Sequence, residues 1–484
     1  MRRTYRRSFA AFAAVLLAGG GRPAAAQAVD TAFQGTVLPR LTARADSAFH
    51  YAAFIPKRYH GASPAPLLLV LDPAGRAVPA IVRFAPAAER LGWIVLSSYD
   101  TRSDDPKAPN ERAVNVMLAD AFGAFSIDTS RIYLAGFSGT ARDTWGFAYG
   151  SSGHVAGIIS AGAAMPTDTV WRRLFPGPPP FDVAMASGAR GINDEEVVST
   201  ASALRAARPT TPTHAALRVD VFPGTDQWPP EPVLARQLGW LDVRAMARRL
   251  RPIDQALADS VFARDSADAA ALAAAHQLGN AADRWAEIAA AWAGAHDVTF
   301  AATRAAQLAA DPAVRPWLAE RDSLVRATPD YQRGIIKPLS DLRRRPGVPD
   351  LRRLTQELNI VALQQWAADA NDSLRADWAA RRLSDVYEQV SLYEPEAYLA
   401  YNDPDRALAL LAVAEEIQGD TPRICRERAR AYAVRHDADR TLTELKCALA
   451  GHLIDLPEIR TDPRYQFMRG LDAFNDLIAP TPGH

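Results

Sequence analysis

Lysine and cysteine are both scarce in this chain. Only four of its 55 basic residues are Lys (Lys57, Lys107, Lys337 and Lys446); the rest are Arg. With Ala so abundant, that bias reflects genome composition rather than a phosphate-binding device. The two cysteines, Cys425 and Cys447, both lie near the C-terminus. They are read either as a disulfide formed in an oxidising compartment or as two small buried residues. There is no H-E-x-x-H, no C-x-x-C, no phosphate-cradling glycine loop and no EF-hand run, so no metal or cofactor is expected. Charge of one sign is lacking too. The 55 basic residues balance 55 acidic ones, which argues against nucleic acid as a partner. Beyond the N-terminus no run has the length and apolarity of a membrane helix.

What is present begins with the first 28 residues, MRRTYRRSFAAFAAVLLAGGGRPAAAQA. A basic start, an apolar run from Phe9 to Ala18 and small residues around Ala26 and Ala28 have the layout of a secretory signal peptide. Arg6-Arg7-Ser8-Phe9 also has the look of a twin-arginine signal, with ordinary export favoured. The expected location is therefore the periplasm or the outside of the cell. At 484 residues, 48% of them apolar, the chain is long enough for two or three domains with sizeable cores.

From about Phe49 to Ala245, short β-rich runs alternate with helical patterns. PLLLVLD (66–72), GWIVLSS (92–98), RIYLAGF (131–137), VAGIISA (155–161), FDVAMAS (181–187) and LRVDVF (217–222) are near-continuous apolar runs. Strands of a parallel sheet covered on both faces read this way. Helical patterns at 79–91, 111–125 and 139–149 separate them, and FPGPPPF (175–181) and RPTTPTH (208–214) are Pro-rich loops. The pattern predicts a doubly wound, mostly parallel α/β domain over residues 29–248.

After about Arg248 the strand signals stop, and Ala, Arg and Leu recur at helical spacing. Residues 249–390 read as a helical region. Residues 391–484 contain a repeat: AYLAYNDPDRALALLAVA (397–414) aligns, 34 residues on, with AYAVRHDADRTLTELKCA (431–448), with eight of eighteen positions identical. The period and the Ala-Tyr, acidic-turn, Ala/Leu order resemble the tetratricopeptide repeat, a pair of antiparallel helices. In that register Cys425 falls near the start of a first helix and Cys447 near the end of a second, which favours their pairing. Such repeats imply either a brace for the α/β domain or a surface for a protein partner.

The candidate site centres on YLAGFSGTAR (133–142), with Ser138 at the tip of a strand–turn–helix. A Ser held there in a strained conformation projects its hydroxyl from the sheet end, and its neighbours two before and two after must be small. Gly136 meets that requirement; Thr140 stands where Gly is usual. IDTSRIYLAGFSG, together with FIPKRY (54–59) and LDPAGR (71–76), resembles secreted α/β-hydrolase esterases, including the polyhydroxybutyrate-depolymerase-like group, over roughly residues 45–248. The resemblance implies Ser138 as nucleophile, with an oxyanion hole from the N–H of Gly139 and one from Ala74 or Gly75. It also implies an acid and a His on loops at the same sheet edge.

Those loops depart from the pattern. FPGTDQWPPEPV (222–233) keeps Trp228-Pro229-Pro230 but carries Thr225 and Asp226 where the family has Gly and His. After FDVAMAS, the acid's place falls near Gly191, with Asp194 three residues on as a substitute or as part of a solvated acidic loop with Glu195 and Glu196. His214 and His154 are expected at the far edge of the sheet, leaving loops bearing His276 or His296 as the remaining source of a base. Asp226 in the base role is weaker by about 3.5 kcal/mol of basicity. The expectation is a hydrolase-derived binding or scaffold protein, with a small ester or acyl ligand in the pocket and a partner on the repeats. The alternative is an active serine esterase with Ser138 as nucleophile and a displaced base.

Overall fold

The computed structural model describes residues 33–103, 105, 107–151, 153–165, 178–191, 193–206, 215–344, 347–451 and 456–479. The proposed signal peptide, most of the two Pro-rich loops, His214, His452 and His484 lie outside them. The chain divides into two compact units, residues 1–319 and 320–484.

The first unit is built on eight strands: β1 (Val37–Thr42), β2 (His50–Phe54), β3 (Ala65–Leu71), β4 (Ile94–Ser98), β5 (Ile127–Phe137), β6 (Val155–Ala161), β7 (Asp182–Gly188) and β8 (Leu217–Phe222). They form one sheet in the order β1-β2-β4-β3-β5-β6-β7-β8. β2 runs antiparallel to both neighbours; from β4 to β8 all pairs are parallel. Residues in β3, β6 and β7 are buried throughout, which explains their unbroken apolar runs.

Alternate strand residues feed two cores. Leu67, Leu69 and Leu71 face α2 (Asn110–Ala124) through Val114 and Leu118, and share that core with Trp145 of α3 (Gly139–Gly150) and Val197 of α4 (Asp194–Ala206). Leu68 and Val70 face the other way, into a core with Ile81 and Phe84 of α1 (Ala77–Leu91) and Leu234 and Leu238 of α5 (Glu231–Ala247). Three more helices join this second core: α6 (Gln255–Ala274), α7 (Leu278–Trp292) and α8 (Thr299–Ala310) contribute Val261, Trp285, Ile288 and Ala301. The unit therefore extends to residue 319, well past the composition change near residue 248. β8 is an edge strand, and α7 caps it: the Val219 N–H donates to Glu287 Oε1 at 2.9 Å.

A buried ion network ties α6 and α7 to β8. Arg218 is only 1% exposed. Its guanidinium donates to Asp220 at 2.7 and 2.8 Å and to Asp265 of α6 at 2.9 Å. Arg284 reaches both carboxylates at 3.3 Å, and the Trp292 indole N–H donates to Asp265 at 2.8 Å.

The second unit is helical among its described residues. α12 (Ser373–Glu388) is followed by a π-helical segment (Gln389–Tyr393) and α13 (Glu394–Ala400); then come α14 (Pro404–Gln418), α15 (Pro422–Val434) and α16 (Ala438–Ala450), numbering α9 (Arg315–Leu342), α10 (Leu351–Glu357) and α11 (Ile360–Ala367) before them. The two copies of the 34-residue repeat adopt the same turn. Asn402 and His436 are left-handed, with φ of 59° and 58°. Asp403 and Asp437 then cap α14 and α16, each accepting an N–H three residues on, from Arg406 and Arg440, at 3.2 Å. The two guanidiniums lie over the rings of Tyr398 and Tyr432, at 5.6 and 5.3 Å. Cys425 on α15 and Cys447 on α16 are disulfide-bonded, with Cα atoms 5.9 Å apart.

Candidate active site

β5 ends at Phe137 and α3 begins at Gly139, leaving Ser138 alone at the turn, with φ 54° and ψ −129°. A non-glycine residue is costly there, and the surrounding contacts hold it in place. The Ser138 N–H donates to the Ala161 carbonyl at the end of β6, 2.9 Å away. Strand and helix pass so close that a Cβ at Gly136 would lie 2.4 Å from the Thr140 carbonyl oxygen.

Thr140 is fully buried and does a specific job. Its hydroxyl lies 2.6 Å from the Leu71 carbonyl and 2.8 Å from that of Phe137, so it can donate to either. It thereby ties the ends of β3 and β5 together beneath Ser138. The branched side chain in place of Gly is thus a fastening between two strand ends, not a loosened contact.

A strand order with one antiparallel strand near the start, five parallel crossovers and a strained Ser after the fifth strand decides the architecture. The fold is that of the α/β-hydrolases.

No family model matches the chain, and no curated protein matches it. Solved structures do. An S-formylglutathione hydrolase from Staphylococcus aureus is 10% identical, over 43% of this chain and 97% of that one, with a TM-score of 0.33. A ferulic acid esterase is 14% identical, over 43% of this chain and 98% of that one, with a TM-score of 0.34. A thermostable esterase is 16% identical over 42% of this chain, with a TM-score of 0.32; the chain spans 61% of that protein's length.

In this fold the loops after β3, β4, β6, β7 and β8 meet at the sheet edge bearing Ser138. The loop after β8 brings Asp226 to it. A Cβ on Gly162, next after β6, would sit 3.2 Å from Asp226 Oδ1 and 2.6 Å from the ring of Phe137. Two residues on, Trp228 is buried against Phe137, with ring centres 5.5 Å apart, and against Phe84 at 5.8 Å.

The loop after β7 is fastened by side-chain hydrogen bonds. Asp194 is the first residue of α4 and is 9% exposed. The neighbouring Asn193 reaches the end of β6, its Nδ2 donating to the Gly162 carbonyl at 3.0 Å. Glu196 is no solvated charge: Arg142, one turn beyond Ser138 on α3, donates to it at 2.8, 3.0 and 3.1 Å and to Asn193 at 3.2 Å. At Gly191 a Cβ would meet Ser187 Oγ at 3.2 Å and the Gly188 carbonyl at 3.1 Å, so an acid there needs a small adjustment.

The expected oxyanion loop makes hydrogen bonds of its own. The Ala74 N–H donates to Asp72 Oδ1 at 2.9 Å, and the Gly75 N–H to the Asp72 carbonyl at 3.1 Å. In this conformation both N–H groups are engaged by Asp72. The physical reason is that Asp72, 1% exposed, turns its carboxylate back under its own loop. It also accepts from the Arg76 N–H at 3.2 Å, from the Arg76 guanidinium at 3.1 and 3.3 Å, and from the Trp228 indole at 2.9 Å. Its backbone carbonyl takes the Thr101 hydroxyl at 3.1 Å. Gly139, the other expected donor, opens α3, and Ser103 from the loop after β4 packs onto it: a Cβ at 139 would lie 2.4 Å from that of Ser103. Neither Asp72, Asn193 nor Ser103 stood out in sequence; only Asp72, inside LDPAGR, lay within a motif.

None of the described histidines of the first unit is placed beside Ser138. His154 precedes β6 and His60 follows β2, both at the opposite edge. His50 opens the antiparallel β2 at the right edge, but β4 and β3 separate it from β5, roughly 14 Å at the usual strand spacing. His276 is exposed in a left-handed turn between α6 and α7. His296 is engaged elsewhere, 2.9 Å from Asp259 and stacked on Phe262 with ring centres 4.0 Å apart. Among the described residues no cluster of His, Cys, Asp or Glu is arranged to hold a metal, and no helix is long and apolar enough to cross a membrane.

Proposed function

We propose that this is an exported protein whose α/β-hydrolase-fold unit derives from serine esterases but has given up efficient ester hydrolysis. It acts by binding: a small ester or acyl ligand in the pocket at Ser138, and a protein partner on the helical repeats. The observation that carries the reading is Asp226, standing beside the strand ends at Ser138 where a His would serve as base. A carboxylate is about 3.5 kcal/mol less basic than imidazole and has no second nitrogen for an acid to orient. What survives the loss of a triad member is on the order of 10³ to 10⁴ over the water reaction.

A fluorophosphonate probe on the mature protein tests this, with Ser138→Ala as control. The expected result is no Ser138-dependent labelling on the minutes scale that active serine hydrolases show. Rapid labelling abolished by Ser138→Ala would overturn it. That outcome would favour a second reading, an active hydrolase with Asp226 as base, for which the strained φ of 54° kept at Ser138 speaks. For the repeats, deleting residues 391–450 is expected to abolish capture of the partner while the α/β unit still unfolds cooperatively.

A further inference from the structure

From the hydrogen bonds around the loop after β3, we infer that Asp72 is a positioning residue that keeps the oxyanion loop closed: its carboxylate and carbonyl take the backbone N–H groups of residues 74, 75 and 76. The inference rests on the reading above and adds a second, separate reason for weak catalysis at Ser138. A tetrahedral oxyanion needs preorganised N–H donors facing it. Here three successive donors on the loop face the residue that opens it, at 2.9 Å for Ala74, 3.1 Å for Gly75 and 3.2 Å for Arg76.

The carboxylate is held from several sides. The Arg76 guanidinium balances its charge at 3.1 Å, and the Trp228 indole N–H pins Oδ2 at 2.9 Å. Trp228 packs on Phe137, the residue before Ser138, and follows Asp226 by two. Asp72 therefore joins the loop that should hold the oxyanion to the loop that should hold the base. A buried carboxylate with this many donors does not yield its place to a transient oxyanion, which would have to approach a like charge.

Restoring the base and acid alone should consequently fail to restore turnover. The test uses the full mature chain carrying Asp226→His with Gly191→Asp, alone and combined with Asp72→Ala or Asp72→Asn. p-Nitrophenyl acetate hydrolysis is followed as kcat and KM. Asn retains an acceptor for the Ala74 N–H, whereas Ala removes it. The expected order is therefore Ala above Asn, by on the order of 10²-fold in kcat with KM within a few-fold, the scale of one oxyanion donor. A purely structural Asp72 gives the reverse order, because Ala is the more disruptive change.

If Asp72→Ala does not fold, Asp72→Ala with Trp228→Phe removes the indole donor left without its acceptor and repeats the comparison. Efficient turnover by Asp226→His with Gly191→Asp while Asp72 is intact overturns the inference, as does equal kcat for folded Ala and Asn variants. Rapid probe labelling of the wild type, by contrast, overturns the functional reading. The Ala-to-Asn order is then still read in the rebuilt background, so the two failures are distinguishable.

Discussion

Thr140 carries a lesson at the scale of the residue. A side chain that looks misplaced in a turn motif is, in three dimensions, a hydroxyl between the Leu71 and Phe137 carbonyls. Thr140→Val keeps the shape and removes the donor, leaving a buried carbonyl less well satisfied. It should cost about 1 to 2 kcal/mol in urea unfolding of the α/β unit, with Thr140→Ser losing less. A cost equal for Val and Ser would assign the position to packing instead. Asp72 is the converse case: it sat inside a recognised motif in which only its neighbours Ala74 and Gly75 were singled out. Sequence supplies the carboxylate but not the direction in which it turns, and that direction follows from Trp228, 156 residues away.

Among the elements, the helical hairpins show what repetition hides and reveals. The repeat at 397–414 and 431–448 is legible because Asp403 and Asp437 cap, Tyr398 and Tyr432 stack under Arg, and all six recur at fixed offset. The α6–α7 hairpin in the first unit makes the same turn with none of those residues. His276 is left-handed at 58°; its N–H donates to Ala273 at 3.1 Å and that of Gln277 to Leu272 at 3.0 Å, matching His436 to Ala433 and Asp437 to Tyr432, both at 3.0 Å. A backbone device set by one positive φ leaves little trace in side chains. Within the repeat, the bridge between α15 and α16 spans a sequence separation of 22. Replacing both cysteines with Ala should lower the stability of the second unit by about 3 kcal/mol in denaturant titration, with unfolding of the first unit as an internal control.

For the molecule, the buried ions at β8 decide where the first unit ends. Arg218→Met leaves Asp220 and Asp265 without their closest cation and should cost about 3 to 5 kcal/mol in thermal or urea unfolding. Acid should act on the same place. Burial disfavours the Asp220 carboxylate, but Arg218 and Arg284 outweigh it and hold the group well below the ordinary carboxylate range. Because the folded pKa is depressed, this contribution is complete above about pH 4 and is lost as pH falls below that value. Thermal melts from pH 6 to pH 2 should show a steep loss of stability below about pH 4, blunted in Asp220→Asn. A chain ending at residue 248 lacks α6 and α7 and should fail to melt cooperatively, whereas one ending at 319 should melt as a unit.

Sequence by itself determined the sheet. The apolar runs of β3, β4, β6 and β7 needed no partner to be read, because a strand buried on both faces is apolar at nearly every position. The Ser138 turn was equally plain, since small residues in a tight turn follow from local sterics. Only tertiary structure decided what surrounds that serine. Asp226 was legible from its motif, but Asn193, Ser103 and Asp72 come from three loops that share no local pattern. Which N–H a buried carboxylate takes, and which helix covers an open strand edge, is settled by contacts between residues distant in the chain.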